Sequence, residues 1–487
     1  MLNLGKTLSK LKLKKEKVLF CYFEPPIIDY TPLDIGYIST LLKKNGLFKK
    51  YTFEIVSLKV FPDSNPEKVS GALLQAANLI LTKDSQVVFF FLDDIISSMR
   101  QSMGIAQELS RRIKEKNPRI FIGFQSYKLE SWQLQKIFST RKVNCVIGDD
   151  PENSFLLLDK ILKKEKVLGV SRGFSDIWQE KTVRATKDRK EDDKYLDKIP
   201  SPYLSGILDN MLDRKKEETG RGFTCFLQSA RGCPFGCYYC PRSVKFKKVR
   251  CFSAKRFYDE VEYLVSRFGF FRFFVIDDTF LFSKERLRDF QREFKIRKAK
   301  NKKLENLHFF IMTRVEILDE EAIEILRNLG VVEVQVGLQT VNPKLQYYMN
   351  RKVKMEKFSV MAEKLEEKGI KLFMDIIGGL PGDSVEWFKK TVDFTLSLRP
   401  NRVQIKQLFF TSGTLFSRQK EKFGIKTQKN DFKFAEPLVV AADGINEEYN
   451  AEVYDYAEKK LKEHPETEWL ISSERKNTMT PNFILRF

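Results

Sequence analysis

The sequence predicts an α/β protein: a Rossmann-like doubly wound sheet first, a partial (β/α)6 barrel second, and a small, mostly helical C-terminal domain last. Three observations carry that reading. Apolar runs of strand length alternate with stretches whose apolar residues recur at helical spacing, the pattern of parallel sheets with crossover helices. One polar, charged stretch, Gly169 to Lys198, interrupts the alternation. The alternation ends near Gly424, and a helical pattern centred on Asn446–Glu463 dominates the C-terminal residues. The expected organisation is a first domain at 1–168, a linker at 169–215, a barrel at 216–426 and a helical cap at 427–487.

In the first domain, Lys17-Val-Leu-Phe-Cys-Tyr-Phe23 reads as a strand that runs into a loop at Glu24-Pro25-Pro26. A helix comes after Pro32, with Ile35, Tyr37, Ile38, Leu41 and Leu42 on one face. Strands are then expected at Tyr51–Val60, Gln86–Leu92, Arg119–Phe124 and Asn144–Gly148. Helices are expected at Pro66–Thr82, Ser97–Lys116 and Ser131–Ser139, with another after Pro151. A doubly wound sheet binds ligands at the carboxyl ends of its strands. That directs attention to the loops Glu24–Pro32, Leu92–Ser98, Phe124–Lys128 and Gly148–Glu152.

The linker closes on Ile199-Pro-Ser-Pro-Tyr203, whose two prolines force an extended entry to the next domain. Six strand–helix units come next. The strands are expected at Phe223–Gln228, Phe271–Ile276, His308–Thr313, Val331–Val336, Lys371–Ile377 and Arg402–Leu408. The helices are expected at Ala254–Phe268, Lys284–Lys295, Asp319–Leu329, Met355–Lys368 and Ser384–Leu398. Barrel active sites gather at the carboxyl ends of the strands.

The densest chemical signal is Cys233-Pro-Phe-Gly-Cys237-Tyr-Tyr-Cys240, three cysteines in eight residues. Thiolates this close ligate a soft metal centre. A structural zinc site wants four nitrogen or sulfur ligands, in paired arrangements. The chain has two histidines, His308 and His464, and neither has a ligand partner at short spacing. Seven cysteines in 487 residues are too few, and odd in number, for a disulfide framework. A 4Fe–4S cubane takes one thiolate per iron, so three local ligands leave one iron open. Cys21 and Cys145 sit in apolar runs and read as core residues; Cys225 and Cys251 flank the loop and could add a ligand.

The loop resembles the CxxxCxΦC signature of the radical S-adenosylmethionine (SAM) superfamily, with Tyr239 as the aromatic Φ. The barrel segments are similar to that family's strand ends: Asp277-Asp278-Thr279-Phe280, Met312-Thr-Arg314-Val-Glu316, Gly337-Leu-Gln339-Thr340, Gly379-Leu-Pro-Gly382-Asp383 and Thr411-Ser-Gly413-Thr414. The first domain resembles the cobalamin-binding domain of cobalamin-dependent radical SAM enzymes, the class B methyltransferase type, through Tyr30-Thr-Pro-Leu-Asp-Ile-Gly36-Tyr37 and Val146–Phe155. It departs from that pattern in having a single glycine in Gly123-Phe-Gln-Ser126 and no DxHxxG motif.

The resemblance implies that Cys233, Cys237 and Cys240 hold a 4Fe–4S cluster whose open iron chelates SAM. Reductive cleavage of SAM then yields a 5′-deoxyadenosyl radical, which abstracts hydrogen from an unactivated carbon; methylcobalamin delivers the methyl group. Asp277, Asp278 and Arg314 are the implied catalytic residues. Tyr239, Gln339, Gly378 and Gly379 are implied on the SAM side, and Gly123, Gln125, Ser126, Gly148 and Glu152 on the cobalamin side. From the residues alone, the aspartates could equally cap the following turn and the glycines could only permit tight turns.

The implied partners are an external reductant such as flavodoxin or ferredoxin and a small-molecule or peptide substrate. Rearrangement, cyclisation or coupling without methyl transfer stays open, as does a first domain serving only as scaffold. A tRNA or protein methylthiotransferase would need a second three-cysteine set, and the first domain offers only Cys21 and Cys145. The net charge of +21 is spread through every segment and interleaved with acids, which argues for a solvated surface and against a nucleic-acid partner. No apolar run reaches the roughly 18–20 residues that span a bilayer. Met1–Lys17 lacks the apolar core of a secretory signal and reads as a basic tail, and the thiolate loop fits a reducing cytoplasm.

Overall fold

The computed structural model describes residues 15–24, 31–60, 66–92, 99–126, 131–148, 151–165, 170–171, 196–240, 249–351, 354–408, 414–428, 438–442 and 444–472. The chain forms two compact units, Met1–Glu24 with Asp34–Asp188, and Pro25–Leu33 with Arg189–Phe487.

The first unit contains β1 (Glu16–Phe23), β2 (Tyr51–Leu58), β3 (Val87–Phe91), β4 (Phe121–Gln125), β5 (Cys145–Ile147) and β6 (Val170–Ser171). Their order in the sheet is β2-β1-β3-β4-β5-β6. β1 to β5 are parallel and β6 is antiparallel to β5. Helices at Leu33–Lys44, Pro66–Thr82, Met99–Lys116 and Ser131–Ser139 make the crossovers. The strand order reverses between β1 and β3, and a doubly wound sheet opens its ligand crevice there. All five residues of β3, Val-Val-Phe-Phe-Phe, are buried, as a strand covered on both faces requires. Phe20, Phe89 and Phe91 pack around Phe155 with ring centroids 4.9–5.8 Å apart, which fastens the helix after Pro151 to the sheet.

The second unit is built on β7 (Thr224–Leu227), followed by the short pair β8 (Ala230–Arg231) and β9 (Arg250–Cys251). Then come β10 (Arg272–Val275), β11 (His308–Thr313), β12 (Val331–Gln339), β13 (Lys371–Gly378) and β14 (Arg402–Gln407). β15 (Lys426–Gln428) and β16 (Leu438–Ala441) form a second antiparallel pair, and β17 (Glu468–Ser472) ends the described chain. The large sheet runs β17-β14-β13-β12-β11-β10-β7, parallel throughout. The expected barrel helices are present at Ala254–Phe268, Lys284–Lys300, Glu320–Asn328, Met355–Glu367 and Val385–Ser397. Side chains cap four of them: Ser253, Ser283, Asp319 and Ser384 accept from the backbone N–H of Arg256, Arg286, Ala322 and Trp387.

The tail differs from the reading of a helical cap. The expected helix is there, at Glu447–Glu463, but β17 joins the barrel sheet as a seventh strand. Pairing with β14, with Glu468 opposite Arg402, defines this strand; a five-residue run ending in Leu-Ile-Ser carries little local signal. Inside the sheet, the buried Arg402 reaches Glu333 on β12 at 3.2 Å and Glu468 on β17 at 2.7 Å.

Candidate active site

The site is built at the carboxyl ends of the second unit's strands, and its first element is a buried anchor. Asp277 follows β10 and is 1% exposed. Its Oδ1 accepts from the backbone N–H of Ser229 at 2.7 Å and of Ala230 at 2.9 Å, while the Ser229 hydroxyl donates to Oδ2. Arg286 backs the same point, donating to the Ser229 carbonyl at 3.2 Å and its Oγ at 2.6 Å. Burial pushes the Asp277 carboxyl up to about 6, against the pull of Arg286 and of these donors. Asp277 therefore fixes the backbone from which the cysteine loop departs. Asp278, the next residue, is half-buried, and its charge acts on Cys233.

The loop leaves through Gly232, whose φ of 99° only glycine adopts cheaply. It is stitched to three neighbours. Tyr238 N–H donates to the Met349 carbonyl at 3.2 Å, Asn350 donates to the Gly236 carbonyl at 3.0 Å, and Leu415 N–H donates to the Tyr238 carbonyl at 3.0 Å. Within the loop Cys240 N–H donates to the Cys237 carbonyl at 3.1 Å. Cys237 is buried; Cys233 and Cys240 are half-buried. Burial pushes the Cys233 thiol up to about 11, and Asp278, Cys240 and Cys237 add to the rise. Cys233 thus loses its proton more readily with a cation present.

Among the described residues, no three His, Cys, Asp or Glu converge on a single ion. A cubane spreads its ligands over separate irons, so the three thiols of this loop fit it.

Arg314, after β11, lies against the loop. Its Nη1 is 3.5 Å from the Cys237 sulfur, and its guanidinium carbon sits 4.2 Å from the centre of the Phe235 ring. Glu316 holds it through Nε at 2.9 Å and through Nη2. Arg351, almost fully buried, donates to the Tyr239 hydroxyl at 3.2 Å and to the Gly337 carbonyl at 2.5 Å, with Glu316 Oε2 at 3.7 Å. Burial pulls the Glu316 carboxyl upward, but the Arg314 hydrogen bond and both guanidinium charges win and hold it below the usual range.

Gln339 ends β12 with a φ of 71°, the left-handed region, and folds its amide over Gly337. A Cβ on Gly337 would stand 2.0 Å from Gln339 Nε2, so this position needs glycine. Gly378 faces Phe388, 3.3 Å from where a Cβ would be. Gly379 has a φ of 78°, and its N–H donates to the Tyr449 hydroxyl at 3.5 Å. That hydroxyl also donates to Asp383 at 3.0 Å, so the tail helix is tied to the Gly379–Asp383 turn. Residues Thr411–Gly413 lie outside the described residues.

The sequence reading missed Arg351, which stands in a charged run with no local signal, and a polar group in the sheet. Gln335 donates to both Asp375 oxygens, at 3.0 and 2.9 Å, and Lys406 meets Asp375 at 3.3 Å. Gln335 shares the face of β12 that carries Gly337. Cys225 is buried in β7 and Cys251 pairs with Ala230 in the β8–β9 ladder, places set by the sheets. Cys21 and Cys145 are core residues, as expected.

In the first unit, Gly123 has a packing reason. A Cβ there would stand 2.2 Å from Phe89 Cε1 and 3.1 Å from Cys145 Sγ, so the glycine makes room for a core ring. Gly123→Ala is expected to destabilise this unit by about 1–3 kcal/mol, the usual cost of overpacking, read as a lowered denaturation midpoint. Gln125 and Ser126 are buried where β4 ends. Gln125 Nε2 has no partner among the described residues, a donor that a polar ligand would satisfy. Gly148 follows β5 and is half-buried. Glu152 lies in the helix Pro151–Leu156, but its side chain, like residues 25–30, 93–98, 127–130 and 149–150, lies outside the described residues. The unit contains no histidine.

A model of the Radical SAM superfamily matches residues 227–395. An uncharacterized methyltransferase of Pyrococcus horikoshii is 24% identical over 218 residues, 43% of this chain and 46% of the relative. An anaerobic magnesium-protoporphyrin IX monomethyl ester cyclase of Rubrivivax gelatinosus is 25% identical over 174 residues, 35% of this chain and 30% of the relative. The matched part thus spans less than half the length of these curated relatives. Among solved structures, the methyltransferase TsrM of Kitasatospora setae, with cobalamin and a [4Fe-4S] cluster bound, superposes with a TM-score of 0.66 at 15% identity, over 91% of each chain. The cobalamin-dependent enzyme OxsB, with aqua-cobalamin and SAM bound, gives 0.62 at 13% identity, over 92% of this chain and 67% of its own. Residues 227–395 thus match the Radical SAM superfamily, and the chain shares its fold with TsrM and OxsB.

Proposed function

We propose that the protein is a cobalamin-dependent radical SAM enzyme that methylates an unactivated carbon of a small molecule or peptide, in the cytoplasm, with electrons from flavodoxin or ferredoxin. The observation that carries the reading is the loop Cys233–Cys240, held by Asp277 and Ser229 at its entry and by Arg314 at Cys237. In this reading the three thiolates hold the cluster, which supplies the electron that cleaves SAM. Asp277 fixes the loop's take-off, Gly337 leaves room for the Gln339 amide and Arg351, and Tyr239 is locked by Arg351. Gln339, Gly378 and Gly379 border the SAM side, with the charge of Asp278 acting on Cys233. Gln125, Ser126 and Gly148 would meet cobalamin, which supplies the methyl carrier.

The test is anaerobic reconstitution of the full chain with iron, sulfide and hydroxocobalamin. About four irons and one cobalt per chain are expected. Any nitrogen superhyperfine splitting of the bound Co(II) form should be unchanged when the protein is labelled with 15N, because the first unit offers no imidazole and only the cofactor's own base could supply that nitrogen. Label from methyl-labelled SAM should reach a product. Binding of iron without cobalt would return the first unit to a scaffold role. The similarity to the cyclases supports a second reading, radical ring closure without methyl transfer. In that case cobalt binds but label stays out of the product.

A further inference from the structure

Two cations and one anion sit against the thiolate loop: Arg314, Arg351 and Glu316, with side chains 14%, 4% and 21% exposed. Charges this sheltered are weakly screened. Arg314 is oriented on three sides, by Glu316, by the Phe235 ring and by the Cys237 sulfur. We propose that Arg314 raises the reduction potential of the cluster by donating to the Cys237 thiolate, and that Glu316 sets how much of the two guanidinium charges the cluster feels. This rests on reading Cys233, Cys237 and Cys240 as the cluster ligands.

The physical argument is one of charge. A 4Fe–4S core of charge +2 with three thiolates carries −1; gaining one electron takes it to −2, with no bond made or broken and no proton moved. A fixed positive charge and an N–H on a ligand sulfur stabilise the more negative state more, and cluster potentials follow net charge and hydrogen bonds to sulfur. Removing the cation therefore lowers the potential. Removing the anion raises it. A residue that merely braces the loop would not move the potential in opposite directions in the two variants.

The experiment uses the reconstituted full chain as wild type, Arg314→Gln, Arg314→Lys and Glu316→Gln. Iron content is measured first. The cluster is then titrated with dithionite and mediators, without and with SAM, and followed by paramagnetic resonance. The expected result is full iron, a more negative midpoint in Arg314→Gln, a smaller shift of the same sign in Arg314→Lys, and a less negative midpoint in Glu316→Gln. If Arg314→Gln loses iron, the other two variants carry the test. Iron-replete variants with unmoved midpoints, or shifts of one sign, overturn the proposal and leave the cluster assignment standing. Unmoved SAM-free midpoints with weakened SAM binding would assign Arg314 to SAM instead. A wild type that binds no iron overturns the cluster assignment and this proposal with it.

Discussion

Replacing Cys233, Cys237 and Cys240 by Ala is expected to abolish iron binding and reductive SAM cleavage together, while the protein stays folded. Of the three cysteines only Cys237 is buried, and the loop's backbone is held by hydrogen bonds to Met349, Asn350 and Leu415 that involve no sulfur. Wild type should hold about four irons and absorb broadly in the visible, and the triple variant should hold none. Each single variant should lose most of the iron, since a cubane bound by two thiolates leaves two irons without protein ligands. Cys21→Ala is the control. Cys21 is fully buried in β1, in the other unit, and its loss should cost stability without touching iron. A triple variant that still cleaves SAM would sink the assignment.

Asp277→Ala is the second large effect, and it acts from beneath the loop. The carboxylate holds two backbone N–H groups and a hydroxyl, and it is the counter-charge of Arg286, which also lies 4.4 Å from the Phe290 ring centre. Truncation leaves buried donors unmet and a guanidinium without its anion, a loss of about 3–5 kcal/mol. Iron loading should fall with it, because the take-off at Ser229 and Ala230 is no longer fixed. Asp277→Asn separates shape from charge. The Asp277 carboxyl stands at about 6 when folded, above roughly 3.9 in the unfolded chain, so the folded state holds its proton longer. Its contribution to stability is therefore greatest at low pH and falls as pH rises from about 4 to 6. The asparagine variant lacks this dependence, so urea midpoints of the two proteins should converge or cross in its favour across that window. A constant difference would show that Asp277 does not titrate there.

The strands and helices were legible because their apolar periods are clean. Pro66–Thr82, Ser131–Ser139, Ala254–Phe268 and His308–Thr313 fall on the residues the sequence indicates. The cysteine loop was legible for a different reason: its chemistry is local, three ligands within one turn of chain. What sequence could not settle is which of two adjacent groups faces which way. Asp277 and Asp278 are indistinguishable in a string, yet one is an anchor under the loop and the other acts on Cys233 through its charge. Gly123 drew notice through its resemblance to the family's glycine loop; the Phe89 ring that also requires a glycine there comes from a neighbouring strand 34 positions earlier. Arg351 is one basic residue among many, and only folding brings it to Tyr239 and Glu316.

The seventh strand bears on any attempt to divide this protein. β17 occupies the hydrogen-bonding edge of β14, and Glu468 shares Arg402 with Glu333. A fragment cut at 426, where the repeating strand–helix pattern ends, would strip that edge and leave a row of peptide groups ready to template against another chain. Fragments that keep the chain through Ser472 retain β17 as the outermost strand, the Arg402–Glu468 pair and Tyr449 on the Gly379–Asp383 turn. Where this sheet ends is thus decided by a strand beyond the repeating pattern, and a boundary drawn from that pattern alone cuts through the sheet.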